Sequence, residues 1–293
     1  MISRDVLPSG IGTSLSKPVI DINQLIRLKL PPLNRTVLRV SELLRDPNVS
    51  TRKLAGVVGC DPVLAARLLK LANSCLFFRQ APVISIQQAI EAVGLKALYD
   101  IVMLGAMADG FAKEISNTVY GRQIWEHSIV VALIAREISG ILGLRGTEEA
   151  FLCGLLHDIG KILLLKGETE KFESILDATT EAGMLKGEEG AFGLTHAEVG
   201  AFVTHKWELP EVVTSVIMNH HRPRFATIST VTTYVVNAAD QVANLHGYGL
   251  RLDSREDVLI SDSVQKLRLS EEHLETAWGN IQNSLLEVLA TFR

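Results

Sequence analysis

A histidine and an aspartate are adjacent in the sequence, as His157 and Asp158, within an otherwise apolar stretch. Two desolvated polar groups need partners, and a metal ion is one partner that satisfies both. Imidazole and carboxylate groups are ligands that borderline and hard divalent ions accept. A helical bundle can bring such ligands from distant parts of a sequence to one core site. Further candidates lie in or at the edge of predicted helices: His127, His196, His220, His221 and Asp240.

A lone core histidine is more often a packing residue with a hydrogen bond than a metal ligand, so His127 alone would not predict a site. The complete set of candidates does favour one. Lys161 follows Asp158 at a helical spacing that allows an ion pair. The remaining histidines, His205, His246 and His273, lie in charged or turn contexts, and we predict that they are solvated.

Composition limits the classes of function. The 293 residues suffice for one large or two medium domains with cores of their own. The net charge is −4 and no long Lys/Arg run occurs, so we expect no direct binding of nucleic acid. No stretch approaches the roughly 20 apolar residues of a membrane-spanning helix, and no signal peptide is recognisable. A cytoplasmic protein without membrane contacts is therefore expected.

The three cysteines, Cys60, Cys75 and Cys153, are scattered without the close paired spacing of a metal or redox motif. Each lies among apolar residues. We predict buried free thiols in a reducing compartment, and no disulfide.

Apolar residues recur at helical spacing along most of the chain, and strand signals are weak throughout. Ser50 or Thr51, Asp61 and Ser85 are suitable helix caps, and Gly94 is a suitable helix terminator. In the first part of the chain, helices are predicted at 36–44, 51–58, 62–73, 86–93 and 95–107.

The second part of the chain carries the candidate ligands on further helical patterns. Thr195 and Glu198 have the spacing of a capping box, which puts His196 in the first turn of a helix. Gly154 and Gly160 leave room for a close approach of two backbones. Residues 168–189 are charged and amphipathic, and an exposed helix followed by a loop is expected there. Helices are predicted at 123–138, 148–156, 196–209, 211–221, 231–243 and 270–289.

Several motifs in one order resemble the HDOD family, the HD-related output domains of bacterial signalling proteins. The resemblance covers about residues 25 to 245 and implies an all-α fold, an HD-superfamily helical bundle with an additional amino-terminal helical lobe. The matching motifs are Leu30-Pro31-Pro32-Leu33, Asp61-Pro62, Leu71-Ala72-Asn73-Ser74, Ile86 to Ile90 with Gly94, Trp125-Glu126-His127-Ser128, Gly154 to Lys161, His196 with Val199-Gly200, Trp207 to Pro210, and His220-His221-Arg222-Pro223.

The chain is expected to divide into four parts. Residues 1–22 mix Ser, Gly and Pro and should form a flexible arm. The resemblance implies an amino-terminal helical lobe at 23–110 and an HD-like lobe with the metal site at 111–250. The apolar pattern beyond residue 250 predicts a carboxy-terminal helical extension at 251–293.

The order of candidate ligands is similar to that of the HD-GYP phosphodiesterases, relatives of HDOD domains that carry two or three metal ions. By that resemblance His127, His157, Asp158 and Asp240 would form one metal position. Asp158 would bridge to a second ion held by His196, His220 and His221. Lys161 would balance carboxylate charge or contact a substrate phosphate, although a surface ion pair is an equal alternative. We expect two divalent transition-metal ions, with Fe, Mn, Zn and Ni all compatible.

Adjacent residues on a helix diverge by about 100°. His220 and His221 should therefore serve different ions or lie at a frayed helix end.

The chain departs from the HD-GYP enzymes after His220-His221. Arg222-Pro223-Arg224-Phe225 stands where those enzymes carry an acidic residue and a Gly-Tyr-Pro loop that contacts a cyclic dinucleotide. The nearest counterpart, Gly247-Tyr248-Gly249, falls later in the chain, past Asp240. Hydrolysis of cyclic-di-GMP is therefore not expected.

Three functions remain, in order of preference. The first is a signalling module that acts through contacts with partner signalling proteins and retains metal as a structural or sensory element. The second is a metal-dependent phosphohydrolase with a nucleotide or other phosphoester as ligand. The third is a helical scaffold with neither metal nor substrate.

Overall fold

The computed structural model describes residues 35–44, 46–74, 82–144, 146–176 and 180–292. Within these ranges the chain is helical and forms no strand, which confirms the predicted all-α class. None of the described helices is both long enough and apolar enough to cross a membrane. The expected arm at 1–22 and the motif at 30–33 lie outside the described residues.

The described residues of the amino-terminal part form the helices α1 (Arg35–Leu44), α2 (Thr51–Val58), α3 (Pro62–Ala72) and α4 (Ile86–Gly110). The predicted caps are confirmed, because Ser50 and Asp61 each accept a backbone hydrogen bond from the first turn of α2 and α3. Ser85 and Gln88 form a capping box at the start of α4. Gly94 has a non-helical backbone with a φ of 81°, so α4 is kinked at this residue. Glycine adopts such a positive φ at little cost, because it has no Cβ.

The rest of the chain forms a larger bundle around α6, which is buried along most of its length and packs against α7, α13 and α16. A 3-10 turn at Pro223–Phe225 follows α12. The helices are α5 (Ala112–Asn117), α6 (Val119–Ile141), α7 (Thr147–Leu156), α8 (Ile159–Gly167), α9 (Thr169–Glu173), α10 (Glu181–Phe192), α11 (His196–Lys206), α12 (Glu211–Asn219), α13 (Thr230–Leu245), α14 (Arg255–Ile260), α15 (Asp262–Leu267) and α16 (Glu271–Phe292).

The carboxy-terminal helix α16 joins the two parts of the fold. It packs on α6 and also on α3 and α4. Trp125 Nε1 of α6 donates a buried hydrogen bond of 2.9 Å to the Phe292 carbonyl, and Lys70 Nζ of α3 donates to the Ala290 carbonyl at 3.3 Å. The predicted carboxy-terminal helical extension therefore packs back on the body of the fold.

The predicted exposure of α10 and the predicted burial of Cys60 were wrong. Helix α10 was expected to be exposed, yet it buries Met184, Leu185, Glu188 and Phe192. These positions form one helical face, and a glutamate on that face hid the pattern. Cys60 was expected to be buried but is exposed just beyond the end of α2.

The structure describes one of the other two cysteines. Cys153 is buried as predicted, and its burial raises the pKa of the thiol. Cys75 lies outside the described residues.

Glycines allow the close contacts that hold α7 and α8 in place. A Cβ on Gly154 would lie 2.8 Å from Ala132 Cα on α6. A Cβ on Gly160 would lie 2.0 Å from the His196 carbonyl oxygen at the start of α11. The expected close backbone approach is therefore present at both positions, and it brings Asp158 next to His196.

Substitution Gly160→Ala tests this contact. We expect a loss of about 1–3 kcal/mol in the free energy of unfolding, because the added methyl group collides with backbone rather than with a flexible side chain. Gly140→Ala is the matched control, since no atom lies within 4 Å of its added Cβ. We expect that variant to be as stable as the wild type or more stable by up to about 1 kcal/mol. Urea unfolding followed by circular dichroism measures both, and equal stabilities would contradict the contact.

Candidate metal centre

Asp158 lies at the break between α7 and α8, and it is only 1% exposed. Its two carboxylate oxygens face different histidines. The Oδ2 atom is 3.4 Å from His157 Nε2 and 3.5 Å from His127 Nε2. The Oδ1 atom is 3.2 Å from His196 Nε2 and 3.8 Å from His220 Nε2. One carboxylate therefore stands between two groups of imidazoles.

The first group, which we call the α6 group, consists of His127, His157 and Asp158. Its ligand atoms all lie within 4.8 Å of one another. His127 comes from the buried face of α6, and its Nε2 lies 3.2 Å from that of His157. Asp240 on α13 adjoins the group, because its Oδ1 lies 3.1 Å from His127 Nε2.

The second group, the α11 group, consists of Asp158, His196, His220 and His221, again within 4.8 Å of one another. His196 Nε2 lies 3.3 Å from His220 Nε2 and 2.8 Å from His221 Nε2. Helix α12 ends at Asn219, so both following histidines lie at a helix end, one of the two expected arrangements. Their ring centroids are 3.9 Å apart.

The Nδ1 atoms of three histidines face backbone carbonyls. His157 pairs with the Gly154 oxygen at 2.7 Å, His220 with the Ile217 oxygen at 2.6 Å, and His127 with the Tyr248 oxygen. A carbonyl only accepts, so each Nδ1 must carry the proton. In the neutral ring this leaves the Nε2 lone pair pointing into the centre, which is the orientation of a metal-binding histidine.

His196 is oriented by a carboxylate instead. The fully buried Glu188 accepts hydrogen bonds from His196 Nδ1 at 2.7 Å and from the His196 backbone N–H at 2.8 Å. Burial lowers the pKa of His196, but the charge of Glu188 and the contacts with Glu188 and Asp158 outweigh it and raise the pKa to about 9.

The neighbouring imidazoles show the opposite shift. Burial, reinforced by His157 and His196, holds the pKa of His220 well below its ordinary value. Burial and the adjacent His220 do the same for the pKa of His221. These two rings are therefore neutral near pH 7, the form in which histidine binds metal.

The charge on Asp158 is maintained despite its burial. Burial would raise its pKa, but His157 and Lys161 hold the pKa well below the ordinary value. Lys161 Nζ lies 2.6 Å from Asp158 Oδ2, which confirms the predicted ion pair. Lys161 is only 5% exposed, so the alternative of a surface ion pair is wrong.

A divalent cation fits this arrangement. Asp158 Oδ1 is buried and makes no hydrogen bond of acceptable geometry among the described residues. The Nε2 atoms of His196, His220 and His221 converge around it, and two of these rings are neutral. A divalent cation satisfies such a set of ligands once it displaces the Nε2 proton of His196. Two ions that share a carboxylate are an arrangement suited to activating water and stabilising a leaving oxygen.

Sequence reasoning missed a second layer of residues. Glu181 Oε1 lies 2.9 Å from His221 Nδ1, and Arg251 reaches both Glu181 and Asp240. Burial and the nearby Asp240 raise the pKa of Glu181 to about 7. For Glu188, its helical spacing from the apolar residues Met184 and Phe192 could have predicted its burial on α10. Glu181 and Arg251 lie in stretches without a clear pattern, so the sequence offered no such signal for them.

The stretch Gly247-Tyr248-Gly249 falls late in the chain, yet it contacts the centre. The Tyr248 carbonyl accepts from His127, and a Cβ on Gly249 would lie 1.8 Å from Asn244 Oδ1. Asn244 Nδ2 in turn donates to Asp240 Oδ1 at 2.9 Å. This segment is therefore part of the wall of the centre.

The other three histidines are less uniform than predicted. His205 is exposed, as expected. His246 is half-buried and stacks on Trp278 of α16, with ring centroids 3.9 Å apart. His273 is also half-buried, and its Nδ1 accepts from the Ser270 backbone at 3.2 Å. The prediction that His246 and His273 are solvated was therefore wrong. Trp278 of α16 covers His246, and the hydrogen bond with Ser270 holds His273 at the start of α16.

Glu188→Gln tests whether this carboxylate supports the α11 group. The glutamine side chain has the same size, but its NH₂ group cannot accept the hydrogen bonds that His196 Nδ1 and the His196 backbone donate. His196 is then less well oriented, so we expect metal affinity to fall about tenfold. Glu189→Gln is the matched control, because Glu189 is the next residue and is exposed. Competition of each protein with a chromogenic chelator for Zn²⁺ gives the affinities. Equal affinities in the two variants would show that Glu188 has no such role.

Known proteins resemble the chain over most of its length. A protein of Treponema pallidum (strain Nichols) described as uncharacterised is 26% identical over 231 residues, covering 75% of this chain and 43% of the relative. Ribonuclease Y of Thermus thermophilus is 26% identical over 253 residues, covering 85% of this chain and 36% of the relative. The chain thus spans less than half the length of these relatives.

Solved structures share the fold. An HDOD domain protein of unknown function from Geobacter sulfurreducens superposes with a TM-score of 0.75 at 26% identity, covering 92% of this chain and 96% of the other. A candidate phosphohydrolase from Shewanella amazonensis SB2B gives 0.72 at 22% identity, covering 93% and 97%.

A candidate signal transduction protein from Marinobacter aquaeolei VT8 gives a TM-score of 0.68 at 21% identity, covering 94% of this chain and 62% of that one. The HDOD domain family matches residues 30–223, about two thirds of the chain. With these motifs, this fold and this match, the chain belongs to the HDOD domain family.

Proposed function

We propose that this chain is a signalling HDOD domain that binds two divalent metal ions and acts through contacts with partner proteins. In this proposal the ions form a structural or sensory element rather than a catalytic one. The observation that carries it is the position of Asp158 between two groups of buried imidazoles. Each oxygen of this one carboxylate faces its own group.

The residues that would hold each ion follow from the two groups. His127, His157, Asp158 and Asp240 would hold one ion. Asp158, His196, His220 and His221 would hold the other. A mixed histidine and carboxylate set accepts Fe, Mn, Zn or Ni, and availability decides among them.

The burial of the centre favours a regulatory role over a catalytic one. His157, His196 and His220 are 0% exposed. The cavity beside them, lined by His127, Asp158, Lys161 and Arg251 among others, measures about 10 Å³. This is the space of about one water molecule, so a phosphoester has no room next to the ligands in this conformation.

The metal content of the purified protein tests the proposal. We expect about two equivalents of transition metal per chain in wild-type protein prepared without chelator, as a two-ion site requires. Asp158→Asn removes the shared charge, so we expect both ions to be lost. Asp46→Asn, which alters an exposed turn, is the control and should retain them.

Elemental analysis by mass spectrometry makes this measurement, with circular dichroism to show that each variant is folded. Wild-type protein that is folded but free of metal, even after incubation with Mn²⁺ or Zn²⁺, would contradict the proposal.

A second candidate function is metal-dependent hydrolysis of a nucleotide or other phosphoester. The specific observation in its favour is Lys161, a buried cation 2.6 Å from Asp158 that also lines the small cavity. Bound metal would supply an activated water and stabilise the leaving oxygen. Lys161 would then orient a phosphate. The segment around Tyr248 and Arg251 would have to move to admit the substrate.

Turnover of a panel of phosphoesters with Mn²⁺ or Fe²⁺ separates the two functions. Our leading proposal predicts no turnover above that of Asp158→Asn. Hydrolysis that is lost in Lys161→Met but kept in Lys186→Met, an exposed lysine on α10, would establish the enzyme instead. Metal content must be equal in both lysine variants for this comparison.

A further inference from the structure

Arg251 is held against the metal centre by three carboxylates. Its Nη2 atom lies 3.2 Å from Glu181 Oε2 and 3.4 Å from Asp240 Oδ2, and its Nε lies 3.1 Å from Asp253 Oδ1. The side chain is only 10% exposed. A guanidinium buried among carboxylates in this way is a fixed positive charge rather than a mobile surface group.

The same carboxylates belong to a third set of potential ligands. Atoms of Glu181, His221 and Asp240 lie within 4.8 Å of one another. Of these residues, His221 is also a member of the α11 group, and Asp240 adjoins the α6 group. The third set is therefore continuous with the two-ion centre, and the guanidinium of Arg251 contacts both of its carboxylates.

We propose that Arg251 supplies the positive charge of this third position and so limits the centre to two metal ions. The inference rests on the proposed two-ion centre. A divalent ion bound by Glu181 and Asp240 would lie next to the guanidinium, and the repulsion between the two cations excludes it. Without Arg251, the carboxylates of Glu181 and Asp240 beside His221 would be free to bind a third divalent ion.

The backbone of the segment that carries Arg251 is fixed at the centre. The Tyr248 carbonyl accepts from His127 Nδ1, and the absence of a side chain at Gly249 lets the backbone approach Asn244. Asn244 binds Asp240 Oδ1, which leaves Asp240 Oδ2 facing Arg251. These contacts give the guanidinium a defined place and make it specific to this site.

Metal stoichiometry after loading with Mn²⁺ and removal of unbound ions tests the inference. We expect about two equivalents in the wild type and about three in Arg251→Gln, which removes the charge but leaves a polar side chain. Arg251→Lys keeps a positive charge and should remain at two. The double variant Arg251→Gln with Glu181→Gln should return to two, because the added site loses a ligand. A folded Arg251→Gln protein with the wild-type stoichiometry would overturn the inference.

Arg251→Met decides the matter if Arg251→Gln does not fold, because it also removes the positive charge beside Glu181 and Asp240. We expect about three ions in this variant too. A folded Arg251→Met protein with two ions would overturn the inference. If the wild type and Arg251→Gln both bind two ions, this inference is wrong but the proposed two-ion centre stands. If neither protein binds an ion, the proposed two-ion centre is wrong as well.

Discussion

The buried negative charge of Asp158 is the constraint on which the rest of the structure depends. An ion removed from water costs several kcal/mol unless close partners compensate it, and this carboxylate is almost completely buried. Lys161 supplies one compensating charge on Oδ2. The oxygen without a hydrogen bond, Oδ1, faces the imidazoles of the α11 group. The fold therefore places a carboxylate oxygen next to imidazole nitrogens that bind metal, and a bound cation would interact favourably with both.

The helices serve this placement through close contacts. Helix α7 approaches α6 at Gly154, and α8 approaches α11 at Gly160. The break between α7 and α8 therefore lies where four helices meet. His157 and Asp158 fall at that break, with His127 on one side and His196 on the other. Bulkier residues at the two glycines would separate the groups that Asp158 joins.

Much of the helical architecture could be predicted because its signals are local. Caps such as Asp61 and the box of Thr195 with Glu198 appear in a few consecutive residues, and the structure has both. The six candidate ligands around Asp158 could be named because a specific motif order marks them, and the structure brings all of them to one centre.

The remainder depends on tertiary contacts that leave no local signal. Glu188 and Arg251 are charged residues in polar stretches, and only the positions of His196 and Asp240 in space explain their burial. His246 is covered by Trp278 of α16, which lies thirty-two residues later in the sequence. The short helices α14 and α15 were missed because six residues are too few for a periodic pattern.

The central claim is that Asp158 joins two metal ions, and anomalous diffraction tests it most directly. Crystals of Zn²⁺-loaded protein, measured at the zinc absorption edge, should give two strong peaks in the anomalous difference map. One should lie beside Oδ2 with His127 and His157, and the other beside Oδ1 with His196, His220 and His221. A single peak on one side of Asp158, or peaks remote from this carboxylate, would contradict the account.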